Sequence, residues 1–341
     1  MADGNPGLSA AGFRRTASRG AWLETSSGET GDMGKPAENL LCTRGYAFPG
    51  FRCVQLADAP LIRDYAECYR APSCEYSFVN MFAWRKLYRL SWCLYRGRLL
   101  VSDGVGDHVL MPLGEPLSPG ELVAMSRALR GMGLSGDIDI VPPAFVDAHP
   151  ELARHYAISL SEGMADYIYS VEKLRDLKGR KLHKKKNLIS QFVRRHPGYG
   201  VRSLDARKDR ERCLAMAERL LAGNLKISRS IREEHAALKE ALVHFEALGL
   251  SGLMVTVGDE PVAFSIFGPL SPGMYDIHFE KADFSYKGAA QVINHETAKH
   301  LSDRCTHLNR EQDLDLPGLR KAKLSYEPEE IRQVHRLTFL P

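Results

Sequence analysis

Acidic and basic side chains are concentrated in the run from Asn309 to Lys323, which follows a predicted strand. Loops at strand ends commonly carry binding and catalytic residues. Within this run, Glu311 and Asp313 have the chemistry to orient or deprotonate an amine, and the planar fork of Arg320 suits a phosphate or a carboxylate. The alternative is a charged surface loop, in which local ion pairs contribute little free energy. Residue types alone leave both interpretations open.

A second candidate set is Asp276, His278 and Glu280, which lie on the predicted strand 274–280. Residues at i, i+2 and i+4 of a strand share one face, and ionisable groups are uncommon on a face that packs in a core. The set therefore indicates a general base or an amine-binding wall, with a solvated sheet face as the alternative. No other residue nearby in the sequence has metal-ligand spacing, so we expect no metal site.

A glycine turn precedes the predicted helix 288–301. Its sequence, Ser285 to Ala290, is similar to the pyrophosphate loop of GNAT acyltransferases, whose pattern is Gln/Arg-x-x-Gly-x-Gly/Ala. Glycine lets the backbone approach a ligand closely, and the free N–H groups of a helix start bind phosphate. Gly288, Ala289 and Ala290 are thus candidate phosphate-binding residues. Ser285 stands where Gln or Arg is usual, and an ordinary strand-to-helix turn is the alternative.

The basic charge is strongly localised. The window 172–196 holds ten basic and two acidic residues, so its net charge is +8, whereas the whole chain is +4 and the remainder is therefore −4. Such a window can bind RNA phosphates or a lipid head-group layer, or it can be a solvated helix face. Tyr167, Tyr169 and Phe192 nearby can stack on bases or belong to the core. The candidate nucleic-acid-binding residues are Arg180, Lys181, Lys184, Lys185 and Lys186.

Length and composition limit the number of domains and the class of protein that can position these residues. The chain has 341 residues, 44% hydrophobic and 26% charged, which indicates about two globular domains of about 150 residues each. No apolar run approaches a membrane span of about 18 residues. The seven cysteines are odd in number and form no CxxC pair. We therefore expect free thiols and a cytoplasmic protein without a transmembrane segment.

The order of predicted elements divides the chain into three parts. Residues 1–44 are rich in Gly, Ser and Thr and are predicted to form a flexible tail. Residues 45–164 and 165–341 each read as antiparallel strands followed by a turn, a helix and another strand. This order indicates an α+β fold with mixed, mainly antiparallel sheets flanked by helices.

Three stretches together carry a resemblance to one family. The first is 76–84, YSFVNMFAW; the second is 166–187, which runs from DYIY to GRKLHKKKN; and the third is 309–323, which contains NREQDL and GLR. In order and spacing they resemble the C-terminal catalytic domain of phosphatidylglycerol lysyltransferases. The resemblance covers about residues 46–339 and implies two GNAT-like acyltransferase modules in tandem.

The resemblance also implies an activity and a set of roles. Characterised relatives move an aminoacyl group from aminoacyl-tRNA to a hydroxyl or amine acceptor, and no separate cofactor is expected. Lys181, Lys184, Lys185 and Lys186 would bind tRNA phosphates. Glu311 and Asp313, with Asp276 and His278, would form the catalytic set. Arg320 and Lys323 would hold the acceptor or the 3′-terminal phosphate.

Two points stay open on the sequence. The acceptor is a small molecule or a lipid head group, and without the membrane-embedded segment of the lysyltransferases any membrane contact would be peripheral. One alternative function is an acyl-CoA-dependent N-acyltransferase, which the Gly288 turn favours. The other is a non-catalytic RNA-binding module.

Overall fold

The computed structural model describes residues 50–71, 73–222 and 229–341, leaving aside the side chains of 222 and 229–231. The predicted tail 1–44 lies outside these residues. The strands are β1 (Arg52–Cys53), β2 (Ser91–Tyr95), β3 (Arg98–Asp103), β4 (His108–Leu110), β5 (Ile138–Val141), β6 (Tyr156–Leu160), β7 (Asp166–Ser170), β8 (Tyr199–Ser203), β9 (Ser251–Val257), β10 (Glu260–Ser271), β11 (Met274–Ala282), β12 (His307–Asn309), β13 (Glu330–Arg332) and β14 (His335–Phe339). The helices are α1 (Ala59–Cys68), α2 (Phe78–Tyr88), α3 (Pro119–Gly131), α4 (Pro143–Ala148), α5 (Val171–Asp176), α6 (His183–Arg195), α7 (Ala206–Ala222), α8 (Arg229–Val243), α9 (Ala289–Leu301) and α10 (Pro317–Leu324).

These strands form two mixed sheets, in the orders β1-β2-β3-β4-β5-β14-β6 and β13-β7-β12-β11-β10-β9-β8. Each sheet contains one parallel pair joined by a helix: β4 and β5 through α3, and β11 and β12 through α9. The remaining pairs are antiparallel. The predicted α+β class, with mainly antiparallel sheets flanked by helices, is confirmed.

Several elements follow directly from local sequence. α3 begins with the predicted capping box, in which Ser118 Oγ accepts from the Glu121 N–H and the Glu121 carboxylate accepts from the Ser118 N–H. Pro119 occupies the first turn, where its missing N–H costs nothing. The predicted turn at Gly97, with φ of 75°, closes the β2–β3 hairpin. Local turn and cap chemistry thus sets the ends of these elements.

The last strand departs from the predicted domain division. β14 was expected in the second module, 165–341, yet it pairs with β5 and β6 of the first sheet. Leu337 on β14 is fully buried and packs in the core of that sheet, which gives the strand its place there. The chain therefore returns to the first module at its end and ties the two modules together.

A shared hydrophobic core also joins the two sheets. One cluster of buried side chains includes Tyr76 and Trp84 from the first module together with Leu238, Met254 and Phe264 from the second. Burial of apolar surface stabilises by roughly 25 cal/mol per Å². The two modules are consequently packed as one body, and residues from both can contribute to one site.

Gly288 sets the distance between the basic helix α6 and the start of α9. Its φ is +100°, and a Cβ there would lie 2.5 Å from the Leu188 carbonyl oxygen and 3.0 Å from Phe192 Cβ. Real Cβ atoms do not approach a carbonyl oxygen so closely. Glycine is required because the α6 backbone packs directly on this turn.

We therefore expect Gly288→Ala to destabilise the protein more than Gly179→Ala. Gly179 has the same φ of +100° but no atom within 4 Å of an added Cβ. The left-handed backbone alone costs about 1–2 kcal/mol, and the clash at Gly288 adds about 1–3 kcal/mol. Urea denaturation of both variants measures the difference. An equal loss of unfolding free energy would contradict the packing role of Gly288.

Candidate active site

The parallel strands β11 and β12 separate and leave a fork in the second sheet. Their pairing ends at Asp276 and Asn309. β11 then continues to Ala282, whereas β12 stops at Asn309. The chain after β12 turns into this gap with left-handed φ at Glu311, 56°, and Leu314, 54°. Side chains from both strands and from this segment meet in the fork.

His278 occupies a β-bulge on β11. On β10, Ile266 pairs with Phe279 and Phe267 pairs with Ile277, so His278 is the extra residue in the register. A bulge bends a strand and re-aims a side chain, and bulges are common beside active sites. The His278 side chain is fully buried. The bulge therefore places an imidazole inside the fork.

Asp166, at the start of β7, connects the fork to the first module. Its carboxylate accepts from the Cys74 N–H at 2.8 Å, from Asn309 Nδ2 at 2.8 Å and from Gln312 Nε2 at 2.9 Å. Burial raises the pKa of Asp166, which these hydrogen bonds partly offset. This buried carboxylate fixes the loop before α2 against the segment after β12.

Asn80 of α2 joins Glu311 to His278. Its Nδ2 donates to Glu311 Oε1 at 3.0 Å and to the Cys74 carbonyl at 3.1 Å, and its Oδ1 lies 2.9 Å from His278 Nδ1. Because Oδ1 only accepts, Nδ1 of His278 must carry the hydrogen, which leaves Nε2 as the basic nitrogen. Nε2 has no hydrogen-bond partner among the described residues. We call Glu311, Asn80 and His278 the relay.

Asp276 lies beside the relay and is 0% exposed. Its Oδ2 is 3.5 Å from His278 Nδ1, and within the described part of the chain neither oxygen makes a hydrogen bond. Burial raises the pKa of Asp276 well above its ordinary value, and the charges of Glu311 and Asp166 raise it further. Strongly raised carboxyl pKa values are common at functional sites, which makes the fork the candidate site.

Lys323 of the predicted site and the nearby Arg310 are both engaged within the protein. Arg310 donates to Glu280 at 2.9 Å, and its guanidinium lies over the Tyr326 ring at 5.0 Å. The Lys323 ammonium donates to the carbonyls of Arg310 and Glu311 and is buried. Burial lowers the pKa of Lys323 to about 8. Through these contacts, both side chains hold the segment after β12 in place.

Asp313 and Arg320 form a separate ion pair. Arg320 donates to Asp313 through Nε at 2.6 Å and Nη2 at 3.1 Å, and it also contacts Asp315 at 2.8 Å and Glu162 at 3.2 Å. Burial opposes ionisation of Asp313, but hydrogen bonds from Arg320 and from Tyr167 outweigh it and hold the pKa of Asp313 below its ordinary value. This pair clamps the loop that carries Glu311.

A cavity of about 600 Å³ lies between α6, the Gly288 turn and α10. It is at the carboxyl ends of β11 and β12, where ligands of α/β sheets commonly bind, and its volume is within the usual range for ligand sites. No side chain caps the start of α9 at its edge. Five lysines and one acid, Asp283, supply its charged lining; the lysines are Lys181, Lys184, Lys185, Lys287 and Lys321. We call it the lysine cavity.

Lys185 has a fixed place in the lysine cavity. Its Nζ donates to Ser325 Oγ at 2.7 Å and lies over the Tyr326 ring at 4.0 Å. Burial and the nearby Arg310 lower the pKa of Lys185 to about 8. The stacked groups Lys185, Tyr326 and Arg310 form the wall between the lysine cavity and the fork.

A second cavity of about 390 Å³ lies between α1 and α2 of the first module and the β10–β11 turn. Gly249 and Pro269 are among its lining residues. Gly268 lies near both this cavity and the relay, because a Cβ on Gly268 would be 3.5 Å from His278 Nε2, 3.5 Å from Leu250 Cδ2 and 3.9 Å from the Gly249 carbonyl oxygen. We call it the interface cavity.

The predicted site residues thus fall into distinct groups. The structure brings Asp276, His278 and Glu311 together in the fork, and places Asp313 and Arg320 in the adjacent loop clamp. Neither cavity is lined by these five residues. Of the predicted phosphate and RNA ligands, Gly288, Ala290, Lys181, Lys184 and Lys185 line the lysine cavity, and Ala289, Arg180 and Lys186 do not.

Comparison with known proteins agrees with this architecture. A model of the family described as "Phosphatidylglycerol lysyltransferase, C-terminal" matches residues 67–336. The chain belongs to this family. Membership supports acyl or aminoacyl transfer as the general activity. No curated protein matches the sequence.

Solved structures give the same picture. A conserved protein of unknown function from Bacteroides thetaiotaomicron is 30% identical, with a TM-score of 0.78 over 85% of this chain and 99% of that one. The C-terminal domain of a protein described as a lysylphosphatidylglycerol synthetase from Agrobacterium fabrum is 13% identical, with a TM-score of 0.56 over 82% and 92% of the two chains. GNAT acetyltransferases are among the further structural neighbours.

As for membranes, the described ranges contain no helix with the length and apolarity needed for a span.

The aromatic residues near the basic helix are buried. Tyr167, Tyr169 and Phe192 are at most 3% exposed and belong to the core of the second module. The interpretation that they stack on bases is wrong.

Sequence reasoning missed several residues of the site in this family member. Cys74 and Asn80 lie in the first module, about 200 residues before the run at 309, and no local pattern links them to it. Lys287 and Lys321 lie outside the basic window and reach the lysine cavity only through the fold. Asn80 and Asp166 do fall within the stretches that carry the family resemblance, which was the available signal.

We expect Arg320→Ala to lower the free energy of unfolding by about 2–3 kcal/mol, because it leaves Asp313 buried without its cation. Arg332→Ala is the matched control, since Arg332 is equally exposed, 32% against 33%, but pairs with Glu330, which is 50% exposed. That loss should stay below about 1 kcal/mol. Chemical denaturation distinguishes the two, and similar losses would contradict the clamp.

Proposed function

We propose that the protein transfers an aminoacyl group from aminoacyl-tRNA to a hydroxyl or amine acceptor. The observation that carries the proposal is the lysine cavity next to the fork. The lining has five lysines and one acid, Asp283, and Lys181 also pairs with Glu327 at 2.6 Å, so the remaining positive charge favours an anion in the cavity. A tRNA 3′ end offers several phosphates on a flexible strand. The family relation supports an aminoacyl ester as the group carried by that strand.

The phosphates are held by side chains rather than by the glycine turn. The first N–H of α9, at Ala289, already donates to the Tyr286 carbonyl at 2.9 Å. Gly288 is needed for close packing against α6. This weighs against an acyl-CoA donor, whose pyrophosphate would require free N–H groups at this turn.

The relay supplies the base for the acceptor. In transfer to a hydroxyl or amine, the nucleophile attacks the ester carbonyl, loses its proton, and the tRNA 3′ oxygen leaves. His278 Nε2 is the basic nitrogen, Asn80 fixes the ring, and Glu311 fixes Asn80. We infer that the acceptor approaches from the side of the interface cavity, because His278 Nε2 and the carbonyl of the lining residue Gly249 both lie within 4 Å of a Cβ built on Gly268. The ester would then be attacked at the fork, between the two cavities.

The direct test is to incubate the protein with a mixture of radiolabelled aminoacyl-tRNAs and to follow deacylation and label transfer. We expect faster loss of label from tRNA for at least one amino acid. No acceleration with any amino acid would contradict the proposal. Salt-sensitive tRNA binding without turnover would instead indicate an RNA-binding module, and a thermal shift with CoA derivatives would indicate a CoA donor.

His278→Gln should lower kcat by about 10²- to 10⁴-fold, because the general base is lost. The affinity for tRNA should be unchanged, since the lysine cavity is intact. His183→Gln is the control, because His183 is exposed at the start of α6. Steady-state kinetics together with filter binding separate the two effects. Normal kcat in His278→Gln would exclude His278 as the base.

Lys185 gives tRNA binding a pH dependence. Its charge is present below its pKa of about 8 and is lost above it. The affinity for a tRNA 3′-end fragment should therefore fall as the pH rises through about 8. In Lys185→Arg, this fall should disappear because arginine stays charged. Fluorescence anisotropy at constant ionic strength measures it, and an equal fall in both proteins would assign it to another group.

A further inference from the structure

Three potential metal ligands meet inside the fork, and the proposed transfer does not use them as a set. Cys74 Sγ and one carboxylate oxygen each of Asp276 and Glu311 lie within 4.8 Å of one another. Cys74 and Asp276 are 0% exposed, and Glu311 is 8% exposed. Zinc binds thiolate at about 2.3 Å and carboxylate at about 2.0–2.2 Å. To bind one ion, the three side chains would have to move closer together, and Cys74 Sγ would give up its contacts with Asp166 and Gln312.

A second observation points to a cation at this place. Asp276 is buried, and in the described part of the protein no side-chain donor makes a hydrogen bond to its oxygens; His278 Nδ1 is 3.5 Å from Oδ2. Buried carboxylates are normally paired with a cation or bound to a metal. The buried ammonium of Lys323 does not fill this role, because it donates to the carbonyls of Arg310 and Glu311.

The chemistry of the three ligands selects the kind of cation. A metal ion needs only the space between its ligands. A thiolate with two carboxylates suits a borderline-soft divalent ion such as Zn²⁺ better than Mg²⁺ or Ca²⁺, which prefer oxygen alone.

We propose that Cys74, Asp276 and Glu311 bind one divalent transition-metal ion of the zinc class. The ion would join the loop before α2, the strand β11 and the segment after β12, which supply one ligand each. It would also fix Glu311, whose Oε1 accepts from Asn80 in the relay. The site would thus be a positioning device for His278, and it does not depend on which group the enzyme transfers.

Cobalt is the probe for this site. The full chain, with the exposed Cys53 and Cys68 changed to serine, is stripped with a chelator, dialysed and titrated with Co²⁺. Thiolate bound to Co²⁺ gives an intense near-ultraviolet charge-transfer band. We expect one Co²⁺ per chain with this band, displaced by one equivalent of Zn²⁺. Absence of the band, or binding far below one equivalent, would overturn the proposal.

Variants assign the ligands. Cys74→Ser should abolish the band and Asp276→Asn should weaken metal binding by at least about tenfold, as loss of one ligand does. Asp276→Asn keeps the side-chain shape without an ionisable group, so its melting temperature without metal should not fall. Cys305→Ser is the control, because Cys305 is buried but lies outside the trio. A band that survives in Cys74→Ser would assign the metal to another thiol and overturn the site.

Discussion

The buried carboxylate of Asp166 is the interaction on which the site depends. It accepts hydrogen bonds from Cys74 in the first module and from Asn309 and Gln312 in the second. No local interaction would hold these segments together, because more than 200 residues separate Cys74 from Asn309. A satisfied buried polar group of this kind specifies one arrangement of its neighbours, since every alternative leaves it unpaired. The relay from Glu311 through Asn80 to His278 exists only in that arrangement.

Around Asp166, the cluster of lysines and the proposed reacting groups lie in different places. Positive charge is concentrated in the lysine cavity, at the carboxyl ends of the parallel strands, whereas the fork holds the acids Asp276 and Glu311 beside His278. The wall between them is a stack of Lys185, Tyr326 and Arg310. The strand β14, which returns to the first sheet, keeps the two modules and hence both cavities in register.

Local chemistry made much of the fold predictable. Caps, hairpin turns and the α9 turn depend on neighbouring residues, so the Ser118 box and Gly288 were evident from sequence. Asp276, His278 and Glu311 were each predicted as site residues, although no sequence pattern showed that they lie together. The insertion of β14 and the arrival of Cys74 in the fork are set by tertiary packing. The expectation of no metal site rested on spacing along the sequence, which gives no information on whether side chains from distant segments meet.

The central claim is that a tRNA 3′ end lies in the lysine cavity with its aminoacyl carbonyl at the fork. A crystal structure with a non-hydrolysable aminoacyl-adenosine analogue carrying 5′ phosphates tests it most directly. The account predicts phosphates within hydrogen-bond distance of the cavity lysines and the carbonyl on the His278 side of the Tyr326 wall. An analogue bound away from the lysine cavity, or one whose carbonyl faces bulk solvent, would contradict the account.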